Sequence, residues 1–341
     1  TMPIQELYKF DSNSFLTDGL KVYAIRTKIE SVADQLASMN FKNIIFTGVG
    51  GTTAELYCIQ KLFEKYSDYP TYLLNAAEAL ATEDRRITSQ SLIVTASKSG
   101  DTPETVDVCK YAQSLGAKVF SFVGDESCPL ANNSDYFVVS PEEGMENTYL
   151  RLYLFALRLL HKLGCFKDYD RFADQMKRLH PELLKIKYAF AESAEETARK
   201  YWNEPYQLWI GSDMVYGDLT LLTMCILEEM QWMKNRLISS AEFFHGPLEL
   251  VDNDLMVTLV KSIGPCRKLD ERVERFLRGR TNKLVIIDLA DLVPKGIDED
   301  FHYLLSPVLL SNVMAGRYCW ELEKFSHHDL SLRRYYRQFN Y

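Results

Sequence analysis

Apolar positions along the chain alternate between two periods. Residues 20–40 repeat apolar side chains at helical spacing, and a short apolar run, Ile44-Ile45-Phe46, then enters a glycine turn, Gly48–Thr53. A helical pattern over 54–66 follows, so the opening reads helix, strand, glycine turn, helix. The cycle continues with a strand over 71–74, a helix near 76–82 and a strand over 91–96. Next come a polar turn, Ser97–Thr102, a helix over 103–115, strands over 118–123 and 136–139, and a long helix over 146–163. Near-continuous apolar strands alternating with helices predict a parallel sheet covered on both faces. Residues 165–200 are charged and helical with no strand. From Tyr206 the cycle restarts: a strand over 207–210, a helix over 216–234, a loop over 239–246, a strand over 255–260, a helix over 267–279, a strand over 283–287 and a final helix over 304–325. A repeat of whole domains fits better than one large sheet.

Composition adds little to this. The 341 residues are 47% hydrophobic and 25% charged, as expected of a globular chain of about two domains. A net charge of -8 argues against a nucleic-acid surface, so an anion must be held locally by N–H groups, hydroxyls or a few basic side chains. The seven cysteines are scattered and never form a C-x-x-C pair, which predicts neither a disulfide framework nor a zinc site. No metal or organic cofactor is expected. No apolar stretch approaches a membrane span, and no basic region leads into an apolar run at the N-terminus, so a cytoplasmic chain without membrane contact is expected.

The sharpest chemistry of the first half is Ser97-Lys98-Ser99-Gly100-Asp101-Thr102, between an apolar strand and a helix. A helix N-terminus carries unpaired N–H groups and partial positive charge, and Ser97, Ser99 and Thr102 add hydroxyl donors. The plain alternative is an N-cap by Asp101 or Thr102. The glycine turn at another strand end tips the balance toward a site, although it matches neither G-x-G-x-x-G nor a P-loop.

Together, Val94–Thr102 resembles the S-x-S-G-x-T phosphosugar loop of SIS domains, and Gly48–Thr53 resembles that family's glycine turn. The resemblance implies two SIS domains, each a flavodoxin-like parallel sheet with helices on both faces. The implied layout is an N-terminal extension over 1–24, a first domain over 25–165, a helical linker over 166–200, a second domain over 201–325 and a tail over 326–341. It also implies that Ser97, Ser99, Thr102 and Thr52 hold a sugar phosphate, with Gly50, Gly51, Lys98 and Glu146 as further substrate contacts. The matching point of the second half, Lys261–Pro265, is a poor phosphate cradle.

The second half instead carries Glu228-Glu229 and, downstream, Glu242-Phe243-Phe244-His245-Gly246-Pro247-Leu248-Glu249-Leu250. A histidine before Gly-Pro sits on a turn and can project. The string resembles a segment of sugar-phosphate synthases and deglycases in which a glutamate sixteen positions before the histidine is the general base; here that is Glu229. The resemblance gives His245 the ring-opening and proton-shuttling role. The tail, from His327-His328 to Arg333-Arg334-Tyr335-Tyr336, resembles the ending of fructoselysine 6-phosphate deglycases. The synthases place a Schiff-base lysine there, whereas no lysine follows Lys324 in this chain. The leading expectation is therefore a deglycase acting on a 6-phosphorylated sugar–amino acid conjugate. A phosphosugar isomerase or an amino-sugar deaminating or aminotransferring enzyme, and a non-catalytic sugar-phosphate sensor, are the alternatives. Broad apolar faces on the helices near 146–163 and 304–322 predict a homodimer, with His327 or His328 reaching the partner's pocket.

Overall fold

The structure, a computed structural model, describes residues 6–340. The first five residues of the expected N-terminal extension, and the last of the tail, lie outside the described residues. The chain divides into two compact units, one of residues Thr17–Lys177 and one of Thr1–Leu16 with Arg178–Tyr341.

In the first unit, β1 (Asn43–Gly48), β2 (Thr71–Asn75), β3 (Ser91–Ser97), β4 (Lys118–Val123) and β5 (Tyr136–Val139) form a five-stranded sheet in the order β2-β1-β3-β4-β5. All pairings are parallel, with Phe46 beside Leu73 and Val94, and Ile93 beside Val119. Parallel strands need crossover helices, which bury both faces and make the strands apolar throughout. Ile45, Ile93 and Val119 point into one core with Val106, Val108 and Leu130. Phe46 and Phe120 belong to the other face, where Phe46 meets Phe63 at 5.5 Å and Phe120 stacks on Phe155 at 4.3 Å.

In the second unit, β6 (Gln207–Gly211), β7 (Asn235–Ser239), β8 (Met256–Lys261) and β9 (Lys283–Asp288) form a four-stranded parallel sheet in the order β7-β6-β8-β9. This is the first sheet's order with the last strand missing. Trp209, Val260 and Ile287 face one core, and Leu208, Ile210, Val257 and Leu259 the other.

Several expected elements come out differently. Residues 20–40 are two helices, Ser12–Ala24 and Arg26–Ala37. The helix expected over 216–234 is regular only for Tyr216–Thr220 and then widens into i→i+5 turns over Leu221–Glu228. Thr220 and Thr223 donate their hydroxyls to carbonyls four residues back, and Asn235 Nδ2 donates to Thr223 O, side-chain bonds that compete with the regular ladder. Ending the helix early leaves Asn235–Ser239 to form β7, a strand the apolar pattern did not reveal.

The final helical segment widens likewise over Met314–Tyr318, and Lys187 Nζ donates to Gly316 O there. Residues 166–200 are mostly helical. Phe166, Tyr169 and Phe172 are buried in the first unit, and helix Leu179–Tyr201 buries Leu179, Leu183 and Ala194 in the second. Residues of the expected N-terminal extension are also packed. Arg317 donates to Tyr8 O at 2.8 Å, and Lys187 lies 4.8 Å over the rings of Phe10 and Phe15.

Helix Met145–Lys162 is buried almost all round, against helices Arg26–Ala37 and Gly51–Tyr66. Every residue of Ser306–Val313 is buried as well. These apolar circumferences are covered within the chain and give no argument for a second copy. Among the described residues, no helix is long and apolar enough to cross a membrane.

Phe155 anchors one face of the first sheet. Phe155→Ala should cost about 3–5 kcal/mol, the usual penalty for truncating a buried aromatic. Urea unfolding followed by circular dichroism measures it, and a cost below about 1 kcal/mol would contradict this packing.

Candidate active site

The order β2-β1-β3 means that β1 and β3 are neighbours whose chains leave toward opposite sides of the sheet. Open parallel sheets bind ligands at this point, outside the carboxyl ends of the strands. Both turns singled out in the sequence lie there. At the end of β1, Gly50 has φ 56 and leads into helix Gly51–Tyr66 without a side-chain cap. A Cβ on Gly48 would come within 2.5 Å of Thr52 Cγ2.

At the end of β3, Ser97 Oγ accepts from Gly100 N at 3.0 Å, which curls the loop. Gly100 has φ 66, and a Cβ there would meet Cys128 Sγ at 2.1 Å. Both facts require glycine. Leu130 N donates to Gly100 O at 2.9 Å, and Gly124 N to Lys98 O at 3.1 Å, tying the loop to the β4 side.

Thr102 occupies the N-cap of helix Pro103–Ser114, yet its side chain makes no capping bond. The expected choice between cap and site thus leaves its hydroxyl available. Ser99 is exposed on the same turn. Thr52 Oγ1 donates to Ala96 O at 3.0 Å, bolting the two turns together, so its proton is engaged. Lys98 pairs with Glu143 on the surface. The sequence reading missed Thr53, whose Oγ1 is buried without a partner in the first turn of helix Gly51–Tyr66.

Glu146 is buried in the first turn of helix Met145–Lys162, and beside it Asn147 has a buried Oδ1 with no partner. Glu55 also escaped notice. Burial pushes its carboxyl up to about 7, opposed by the Arg151 guanidinium. Arg151 is itself buried and donates to Ser140 Oγ at 2.7 Å.

The equivalent reversal in the second unit, between β6 and β8, is filled by the chain itself. Asp270, fully buried in the first turn of helix Arg267–Leu277, accepts from Ser212 Oγ at 2.7 Å, Ser240 Oγ at 2.6 Å and Ser262 N at 2.9 Å. These donors lie just past the ends of β6, β7 and β8. A carboxylate takes the place an anionic ligand would need. Lys261 is bound by Glu274 and Asp288, at 2.8 and 3.2 Å.

The acid–base candidates lie elsewhere in this unit. Glu229 follows the widened turns, is 30% exposed, and accepts from Arg333 Nε at 3.0 Å. Glu228 beside it is exposed. His245 N donates to Glu242 O in a turn, and Gly246, with φ 126, leads into Pro247–Leu250. The His245 side chain is exposed, and no described contact joins it to Glu229; Glu242 and Glu249 are exposed too. His327 is exposed with φ 54, and His328 packs within its own chain, Nε2 at 3.0 Å from Met230 O. Of the two tail histidines, one is turned outward and one is held by this chain's own backbone.

No family model matches the chain. It is 28% identical over 320 residues to the fructosamine deglycase FrlB of Bacillus subtilis, spanning 91% of this chain and 96% of that protein. The fructoselysine 6-phosphate deglycase of Escherichia coli is 21% identical over 90% of this chain and 89% of its own length. A glutamine–fructose-6-phosphate aminotransferase of Thermococcus kodakarensis matches at 25% over 79% of this chain but only 46% of its own. A crystal structure from Bacillus subtilis, assigned as a phosphosugar isomerase, has a TM-score of 0.88 at 25% identity, covering 94% of this chain and 99% of that one. With the repeated parallel sheets and the two turns, these similarities support a SIS-domain phosphosugar enzyme. Its similarities extend to both deglycases and isomerases of that class.

If Asp270 fills the second switch point, Asp270→Ala strands two buried hydroxyls and one N–H. The expected loss is about 3–5 kcal/mol, with Asp270→Asn losing about half as much because one acceptor oxygen remains. Urea unfolding of the two variants checks this; equal, small losses would contradict it.

Proposed function

We propose that the chain is a deglycase. Its substrate is a sugar 6-phosphate joined through nitrogen to an amino acid, of the fructoselysine 6-phosphate kind. The carrying observation is the similarity over nearly the whole length of the chain to a fructosamine deglycase. The open hydroxyl turn at the β1/β3 switch point, and the half-buried Glu229, support it.

In this reading Ser97, Ser99, Thr102 and the adjoining N–H groups hold the phosphate, whose binding energy positions the reacting carbon. Glu229 takes a proton from the sugar carbon that bears nitrogen, and an enaminol forms. Reprotonation at the next carbon moves the double bond to C=N, and water hydrolyses this imine. The products are glucose 6-phosphate and the free amino acid. His245, free on its turn, opens the ring and moves protons. The chemistry needs no metal or organic cofactor.

The same base would serve an aldose–ketose isomerase, the second reading, which the similarity to a phosphosugar isomerase structure favours. We place the enzyme in the cytoplasm, in keeping with seven unpaired cysteines. A homodimer is part of the proposal. Its support is the exposed aromatic end of the tail, with Tyr335 67% and Phe339 57% exposed.

Incubation with fructoselysine 6-phosphate should release glucose 6-phosphate. Glu229→Gln should lower kcat at least ~10²-fold, the usual share of a general base, while Glu228→Gln keeps most of it. Turnover of fructose 6-phosphate alone would favour the isomerase. A dead Glu228→Gln beside an active Glu229→Gln would overturn the choice of base.

A further inference from the structure

The proposed chemistry gives the C-terminal tail no part, yet the tail is built onto the segment that carries Glu229. Helix Cys319–Ser326 ends at His327 in a left-handed conformation, which turns the chain back. Ser326 Oγ then donates to Gln231 Oε1 at 3.3 Å, and the His328 ring meets Trp232 at 4.4 Å. Leu330 is 3% exposed, and its N–H donates to Glu323 Oε2 at 3.0 Å.

These contacts fix Arg333. Its Nη1 donates to Leu330 O at 2.7 Å and Leu332 O at 2.8 Å, which sets the guanidinium plane, and its Nε donates to Glu229 Oε1 at 3.0 Å. A mobile surface ion pair contributes little because two long side chains must be ordered. Here the ordering is done by backbone carbonyls of the tail, and both partners are mostly covered, at 19% and 30% exposure.

We propose that Arg333 is a positioning residue for the reaction: it holds Oε1 of the Glu229 carboxylate, so that Oε2 is the oxygen left to accept the substrate's proton. This rests on the reading of Glu229 as the base. A guanidinium suits the task, since it remains charged and cannot itself exchange the proton.

The other charged groups around Glu229 face elsewhere. Glu228 is exposed, His328 is on Met230 O, Asp329 accepts from Ser331 N, and Arg334 is on Trp232. Among the described residues, Arg333 alone reaches the Glu229 carboxylate.

The test compares wild type, Arg333→Leu, Arg333→Lys, Arg334→Leu and Glu229→Gln. Two readouts are used: kcat and KM measured separately with fructoselysine 6-phosphate, and the carbon-13 NMR line of the Glu229 carboxyl at one fixed neutral pH, assigned by its loss in Glu229→Gln. Arg333→Leu should lower kcat by about tenfold or more with little change in KM, because the loss falls on proton transfer and not on substrate binding. It should also shift the Glu229 carboxyl line, because Oε1 loses the Arg333 Nε donor. Arg333→Lys should restore part of both effects, and Arg334→Leu should change neither. The NMR arm reads the ion pair whatever the substrate is. An unmoved carboxyl line in Arg333→Leu, or an equal shift in Arg334→Leu, overturns the proposal while a dead Glu229→Gln keeps the base. An active Glu229→Gln overturns the base and the proposal with it.

Discussion

The molecule depends on a constraint of parallel sheets. Each strand must be followed by a crossover, and where successive crossovers leave toward opposite sides, two adjacent strand ends open side by side. In the first unit this happens between β1 and β3. There the bond from Thr52 Oγ1 to Ala96 O holds the two turns together. It gives up one hydroxyl to keep Ser97, Ser99 and Thr102 in register with the start of helix Pro103–Ser114. Gly100, pressed against Cys128, allows no side chain at the bend.

The second unit applies the same architecture to a different end. Its switch point has serines after β6, β7 and β8, but they converge on the carboxylate of Asp270. The donors that would cradle an anion are satisfied from within.

What could be read from the sequence was local. The turn Ser97–Thr102 was legible because strand, hydroxyls, glycine and helix start are contiguous. The alternation of strands and helices gave both sheets except β7, whose Leu237-Ile238 core is too short to register beside a helical run. The widened turns before Glu229 were not legible, since they are set by side chains such as Asn235 bonding to carbonyls twelve residues away. Asp270 lies 58 residues from Ser212, and Arg333 lies 104 residues from Glu229, so neither pairing leaves a pattern in the chain. The apolar circumference of helix Met145–Lys162 was read correctly as demanding cover on several sides, but helices of the same chain supply it.

The central claim is that the β3 turn is the phosphate site. The direct measurement is a calorimetric titration of glucose 6-phosphate into wild type and into a Ser97→Ala, Thr102→Ala double variant. Hydrogen bonds to a charged group are worth about 1.5–3 kcal/mol each, so the variant should bind at least about tenfold more weakly, with its fold unchanged by circular dichroism. Equal affinity in the two proteins would remove this turn from the site and contradict the account.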